Sequence, residues 1–211
     1  MAEAVRAAES GTAAELVPVV ATASGRYDRA EDIVGLLCAL TAVSLAWTLF
    51  QGTAPAQGAW ASGYRATFPL WAVLGVFLAG FWAGTLAATV FPALRRPFVS
   101  AREMDEEVER AAQAAFQRLR VSQTRGGTGL LIYVSLFERR VRLLGDAAVQ
   151  KALSPLEWDQ VRDLLLEGIR GQRPGQGLCA ALARSGELLS RSFPRPSDDT
   201  DELPNDLHII D

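Results

Sequence analysis

The run DDTDE near the end of the chain sets Asp198, Asp199 and Asp201 beside Glu202. Carboxylates are the hard oxygen donors that calcium takes, and Asp199 and Asp201 flank Thr200 as a superficial aspartate-nucleophile pair. No EF-hand spacing with its central glycine surrounds them, and no strand precedes them to aim them at a sheet edge. A solvated acidic tail is the preferred reading. Asp146 follows a strand-like run, a position that suits a metal ligand and suits a turn or helix cap better. Asp146, Asp198, Asp199 and Asp201 are therefore the candidate metal ligands, with calcium as the cation they fit.

Other chemistry finds less support. Cys179 and Arg184 stand one residue too close for a cysteine-phosphatase loop and fall within a helical pattern. Gly126, Gly127 and Gly129 lead into a strand, not into the helix N-terminus that makes a phosphate loop work. His208 is the only histidine, which leaves no multi-histidine metal site and no Ser–His pair elsewhere. Cys38 and Cys179 have no partner at metal or redox spacing and read as buried free thiols. No catalytic or cofactor-binding residue emerges. Arg118, Arg120, Arg125, Arg139, Arg140 and Arg142 are a basic surface in prospect, each adding about 1 kcal/mol beside anionic lipid. Only Lys151 among the 21 basic residues is lysine, a bias that suggests a GC-rich bacterial source. The net charge of −3 gives no whole-chain case for nucleic acid.

The elements that must position these groups follow from hydrophobic patterning. Leu130 to Leu136, interrupted only by Ser135, predicts a strand buried on both faces. Arg140 and Arg142 alternate with Val141 and Leu143, predicting a second strand with one wet face and a turn near Glu138 and Arg139. Glu15 to Ala21 is a third strand, and Pro18 restricts it to an edge or to having that nitrogen face outward. Apolar residues at helical spacing predict a helix from Ser100 to about Arg120 and another starting at the cap Ser154 with Pro155 at its first position. Leu178, Leu182, Ser185, Leu189 and Phe193 mark the last helix.

Between the first strand and the others lies an uncharged stretch that predicts a membrane. Ile33 to Phe50 spans roughly 27 Å as a helix and Leu70 to Phe91 roughly 33 Å, close to a bilayer core. Arg26 and Arg29 precede the first span, and Arg95, Arg96 and Arg102 follow the second, while Arg65 alone occupies the connecting loop. The positive-inside rule puts both flanking portions, and hence both termini, in the cytoplasm. Trp47, Trp60, Tyr64 and Trp71 fall at the opposite interface as an aromatic belt. Gly80 and Gly84 form a small-xxx-small pair that allows close helix approach. A two-span hairpin returns the chain to the side it left, so strands before and after it can share one sheet in a β–α–β unit.

The segments AAESGTAAELVPVVATASGRY, GGTGLLIYVSLFERRVRLLGD, EWDQVRDLLLEGIR, GLCAALARSGELLSRSFP and DELPNDL together resemble a bacterial TPM-domain membrane protein. The resemblance implies an α/β, small three-layer sandwich domain with an inserted two-helix transmembrane hairpin. The organisation expected is residues 1–29 as the first helix and strand, 30–94 as the hairpin, with spans near 31–50 and 69–92, 95–193 as the rest of the domain, and 194–211 as an acidic tail. Phosphatase activity and calcium binding are attached to parts of that family, but no catalytic motif transfers residue by residue. The function expected is an integral protein of the bacterial inner membrane presenting a cytosolic interaction or regulatory module. The competing reading is a membrane-tethered, phosphatase-like hydrolase, metal-dependent or not. The partners implied are the lipid bilayer, an unidentified membrane or cytosolic protein and a second copy of the chain, with no nucleic acid.

Overall fold

The structure, a computed structural model, describes residues 1–50, 53–55, 64–66, 68–196, 198 and 201–210, the two three-residue segments by their backbone alone. In chain order the elements are α1 (Ala2–Glu9), β1 (Leu16–Ala21), α2 (Asp28–Phe50), β2 (Thr53–Pro55), β3 (Tyr64–Ala66), α3 (Leu70–Val90) and α4 (Pro92–Arg95). They continue with α5 (Ala101–Arg118), β4 (Leu130–Ser135), β5 (Arg140–Gly145), α6 (Ala147–Ala152), α7 (Pro155–Arg170), α8 (Pro174–Ser192) and β6 (His208–Ile210). They form two compact units, Met1–Gly25 with Ala101–Asp211, and Arg26–Ser100.

The first unit is built on a four-stranded sheet of order β5-β4-β1-β6. β4 pairs with β1 in parallel from Leu130↔Leu16 to Ser135↔Ala21, and antiparallel with β5 from Leu130↔Gly145 to Ser135↔Arg140. Side chains alternate between two cores, as the strand period of two dictates. Leu16, Leu130, Ile132, Val134 and Val141 join Val5 of α1, Val161 and Leu165 of α7, and Leu178, Leu182 and Leu189 of α8. Val17, Val19, Leu131 and Tyr133 join Val108, Ala112 and Ala115 of α5 on the opposite face. Three layers result, helix on sheet on helix. Each fully buried aliphatic side chain contributes about 1.5–3 kcal/mol. Ser154 and Glu157 close a capping box with Pro155 at the first helical position of α7.

The expectation for the closing segment needs correction. The closing segment is not only a solvated tail, because residues 208–210 form β6 and pair in parallel with β1. Leu203, Leu207 and Ile210 separate its acidic residues and pack against the two cores, which is what draws it in. In consequence β1 is an inner strand. Pro18 is tolerated there because even-numbered residues of β1 direct their backbone toward β6, as the bond from Thr22 N to Ile210 O shows. Pairing with β6 starts only at Val19↔His208, so no partner awaits the missing proline N–H.

In the second unit, α2 and α3 are both long and apolar enough to cross a membrane. Their contacts run in opposite directions. A Cβ on Gly80 would lie 2.9 Å from Ala39 Cα, and one on Gly84 2.9 Å from Gly35 Cα, so glycine is what lets the backbones meet. Nearer the charged end, Glu31 accepts from Thr89 and from Arg95, an ion pair with both side chains mostly buried. Large apolar side chains elsewhere on these helices are exposed, including Leu40, Leu49, Leu78, Trp82 and Trp71, the last at 77%. Trp47 is exposed as well, whereas Trp60 and the side chain of Tyr64 lie outside the described residues. The cysteines also depart from expectation: Cys38 is exposed and Cys179 half-buried, with its sulfur 3.5 Å from Met1 Sδ.

Candidate functional site

One end of the sheet gathers a cluster of titratable groups. The segments leading into β1, β4 and β6 meet there with the end of antiparallel β5, around a cavity of about 400 Å³ lined by Glu15, Arg125, Thr128, Asp198 and Glu202. Thr128 donates to Ala13 O at 3.1 Å, tying the approaches to β1 and β4. Glu15 spreads its carboxylate over two backbone donors, Glu202 N at 3.1 Å and Leu203 N at 3.3 Å. Glu202 in turn accepts Arg125 N at 2.8 Å and stands 3.5 Å from that residue's Nε. Glu9, at the end of α1 and only 3% exposed, accepts Leu16 N at 2.7 Å. Arg195 bonds Glu9 O and Asp201 Oδ1, and Asn205 bonds the other Asp201 oxygen.

Burial governs the electrostatics. It raises the Glu9 carboxyl to about 7, opposed by the Leu16 N–H and assisted by the nearby charges of Glu15 and Asp201. Burial likewise raises Glu15, opposed by its two backbone donors. Asp201 is held below its ordinary value, chiefly by the hydrogen bond from Arg195.

The sequence-derived ligands fare unevenly. Asp146 is the N-cap of α6, accepting Ala147 N at 2.6 Å, and a Cβ on Gly127 (φ +62°) would lie 3.5 Å from its Oδ2. Asp198 lines the cavity, Asp201 is committed to Arg195 and Asn205, and Asp199 lies outside the described residues. Among the described residues no three of His, Cys, Asp or Glu are grouped as a metal site requires. What the geometry does here is grip backbone: the Glu9, Glu15 and Glu202 carboxylates each accept main-chain N–H groups.

The other end of the sheet holds a polar network that sequence reasoning missed. Ser24 Oγ donates to Ser135 Oγ at 2.9 Å and lies 3.1 Å from Tyr133 OH, and Ser135 Oγ donates to the buried Glu138 carboxylate. That carboxylate also accepts Ser24 N at 2.9 Å. Burial raises the Tyr133 phenol. The signal available was Ser135 itself, the one polar residue in an apolar run.

The basic surface is divided. Arg140 and Arg142 pair with Asp105 at 2.8 and 3.2 Å, and Arg142 also with Glu109 at 2.8 Å, so both serve to dock α5. Arg118, Arg120, Arg125 and Arg139 are exposed. On α8, Arg184 bonds Glu187 and Gln160, away from any cradle with Cys179.

Residues 98–188 match the family model described as TPM domain. The chain carries a TPM domain. The match spans α5 to most of α8, while β1 and β6, which complete the sheet, fall outside it. The NMR structure of the BA42 protein from the psychrophilic bacterium Bizionia argentinensis superposes with a TM-score of 0.57 at 18% identity, over 99% of this chain and 88% of that one. This supports the fold of the TPM domain and says nothing of activity. No curated protein matches the chain.

Proposed function

We propose that the protein is an integral protein of the bacterial inner membrane whose TPM domain acts in the cytosol as an interaction or regulatory module. The observation that carries the reading is the surface of α2 and α3. Of their most apolar stretches only 22% and 11% is buried, opposite to what the core helices of a soluble protein require. A cleaved leader fits poorly, because β1 precedes α2 and supplies an inner strand of the sheet. The arginines at Arg26, Arg29, Arg95, Arg96 and Arg102 support a cytoplasmic domain. The module reading rests on the carboxylates, which grip backbone instead of converging on a reacting atom.

Thiol labelling tests the topology. With both native cysteines replaced, Gln57→Cys should react with an impermeant reagent on cells stripped of the outer membrane, and Gln172→Cys should not. The opposite pattern reverses the orientation. Affinity purification of the whole chain from detergent-solubilised membranes should return a stoichiometric protein partner. A chain that elutes alone and hydrolyses phosphomonoesters would replace the module with a hydrolase.

A further inference from the structure

The β4–β5 turn sits where the TPM domain is joined to the rest of the chain. On one side of it, Glu138 accepts the N–H of Ser24, the residue before the last of this unit's first segment. On the other, Arg140 Nη2 donates to the carbonyl of Ala101 at 3.1 Å, the residue at which the chain rejoins the unit. The turn backbone is fastened to the same place, by Leu136 N to Ala21 O and Phe137 N to Thr22 O. Arg139 stands between the two anchoring side chains. It is exposed, is held at φ +55° and makes no hydrogen bond or ion pair among the described residues. Leu136, at the start of the turn, is 39% exposed.

Chain length limits how far this turn can be from a bilayer. Ser24 and Asp28, the first residue of α2, are four peptide steps apart, a reach of at most about 14 Å. The apolar run of α2 begins at Ile33, five helical residues on, or about 8 Å. An apolar side chain and an unpaired guanidinium thus lie on a short tether to the headgroup layer. On α5, which Arg140 helps to dock, Arg102 bonds Glu106 at 2.7 Å, and Asp105 is paired with Arg140 and Arg142.

We propose that this turn, through Leu136 and Arg139, is a contact site for anionic phospholipid headgroups, the guanidinium binding phosphate and the leucine entering the interface. The inference rests on the membrane anchoring proposed above. Arg139 is left free because its two neighbours are occupied in holding the chain, and it stands with a left-handed backbone in the turn between β4 and β5.

The test uses the whole chain, freed of native cysteines, in phosphatidylcholine vesicles with and without phosphatidylglycerol. A nitroxide at Leu136→Cys is compared with one at Leu78→Cys on α3 and one at Gln172→Cys on the exposed connection between α7 and α8. Relative accessibility to oxygen and to a nickel chelate reads the depth. The label at Leu136→Cys should favour oxygen in vesicles containing phosphatidylglycerol, and adding Arg139→Glu should lower that preference several-fold. A nickel accessibility equal to that at Gln172→Cys, while Leu78→Cys stays shielded, overturns the contact and leaves the anchoring intact. Shielding that is the same in phosphatidylcholine alone and indifferent to Arg139→Glu overturns the assignment to anionic headgroups. Nickel access at Leu78→Cys overturns the anchoring, and this proposal with it.

Discussion

Glu9 accepts the N–H of Leu16 at 2.7 Å, in the place on β1 that β6 does not reach. A side chain from α1 thus completes a ladder that the short final strand leaves open, at the cost of burying a carboxyl whose Oε2 has no hydrogen-bond partner among the described residues. Burial raises the folded carboxyl to about 7 from an ordinary 4.5. A carboxyl raised in the folded state favours the fold fully below the lower value, and that contribution is lost as pH rises through the higher one. Stability should therefore fall between about pH 4.5 and 7 by an amount on the order of 1–3 kcal/mol. Glu15, raised in the same direction, adds to the trend. Glu9→Gln keeps an acceptor for Leu16 and removes the ionisation. Urea unfolding of the whole chain at pH 5 and pH 8 should show a smaller difference for the variant than for the parent. An unchanged difference would contradict the assignment to Glu9.

The grip of Glu15 on Glu202 and Leu203 makes a local prediction. Glu15→Ala leaves two N–H groups without their acceptor, a loss of about 1–3 kcal/mol. Hydrogen exchange should quicken across residues 203–210 and stay unchanged in β4 and β5. Equal acceleration throughout the sheet would mean that Glu15 supports the whole unit and not its last strand.

Much of this architecture was legible beforehand, and for clear reasons. β1, β4 and β5 announce themselves through runs of valine, leucine and isoleucine, and α2 and α3 through the absence of charge over a bilayer's length. Ser154 with Pro155 marks the start of α7 by its capping chemistry. β6 was illegible because three residues are too few to show a period. The clasp was illegible because Glu15 and Glu202 stand 187 residues apart and meet only through the sheet. The Ser24–Ser135 pair, 111 residues apart, hid in the same way. Asp146 was visible as a choice between ligand and cap, and the N–H of Ala147 occupies it as a cap.

The crossing of α2 and α3 offers a paired test. A Cβ at Gly84 would lie 2.7 Å from Cys38 Cβ and 2.9 Å from Gly35 Cα, whereas one at Gly75 meets nothing within 4 Å. Gly84→Leu should force the helices apart and lower the melting temperature in detergent. Gly75→Ala should hold or slightly raise it, since alanine is favoured over glycine within a helix by about 0.5–1 kcal/mol. Equal effects from the two substitutions would show that the close approach contributes nothing.

The last prediction concerns chemistry. Phosphoryl transfer needs a placed nucleophile or metal-bound water and donors aimed at the developing charge. Four carboxylates of the candidate set and the cavity are engaged otherwise: Asp146 caps α6, Asp201 is paired with Arg195, and Glu15 and Glu202 hold backbone. Arg125, the cation on the cavity wall, sits beside Glu202. The purified whole chain should show no phosphomonoesterase turnover that depends on these residues, with or without calcium or magnesium. Asp146→Asn keeps a capping oxygen and should change stability little, while Asp146→Ala should cost about 1 kcal/mol. Turnover that saturates with substrate and vanishes in Asp146→Asn, at undiminished stability, would show that this carboxylate does chemistry beyond its cap.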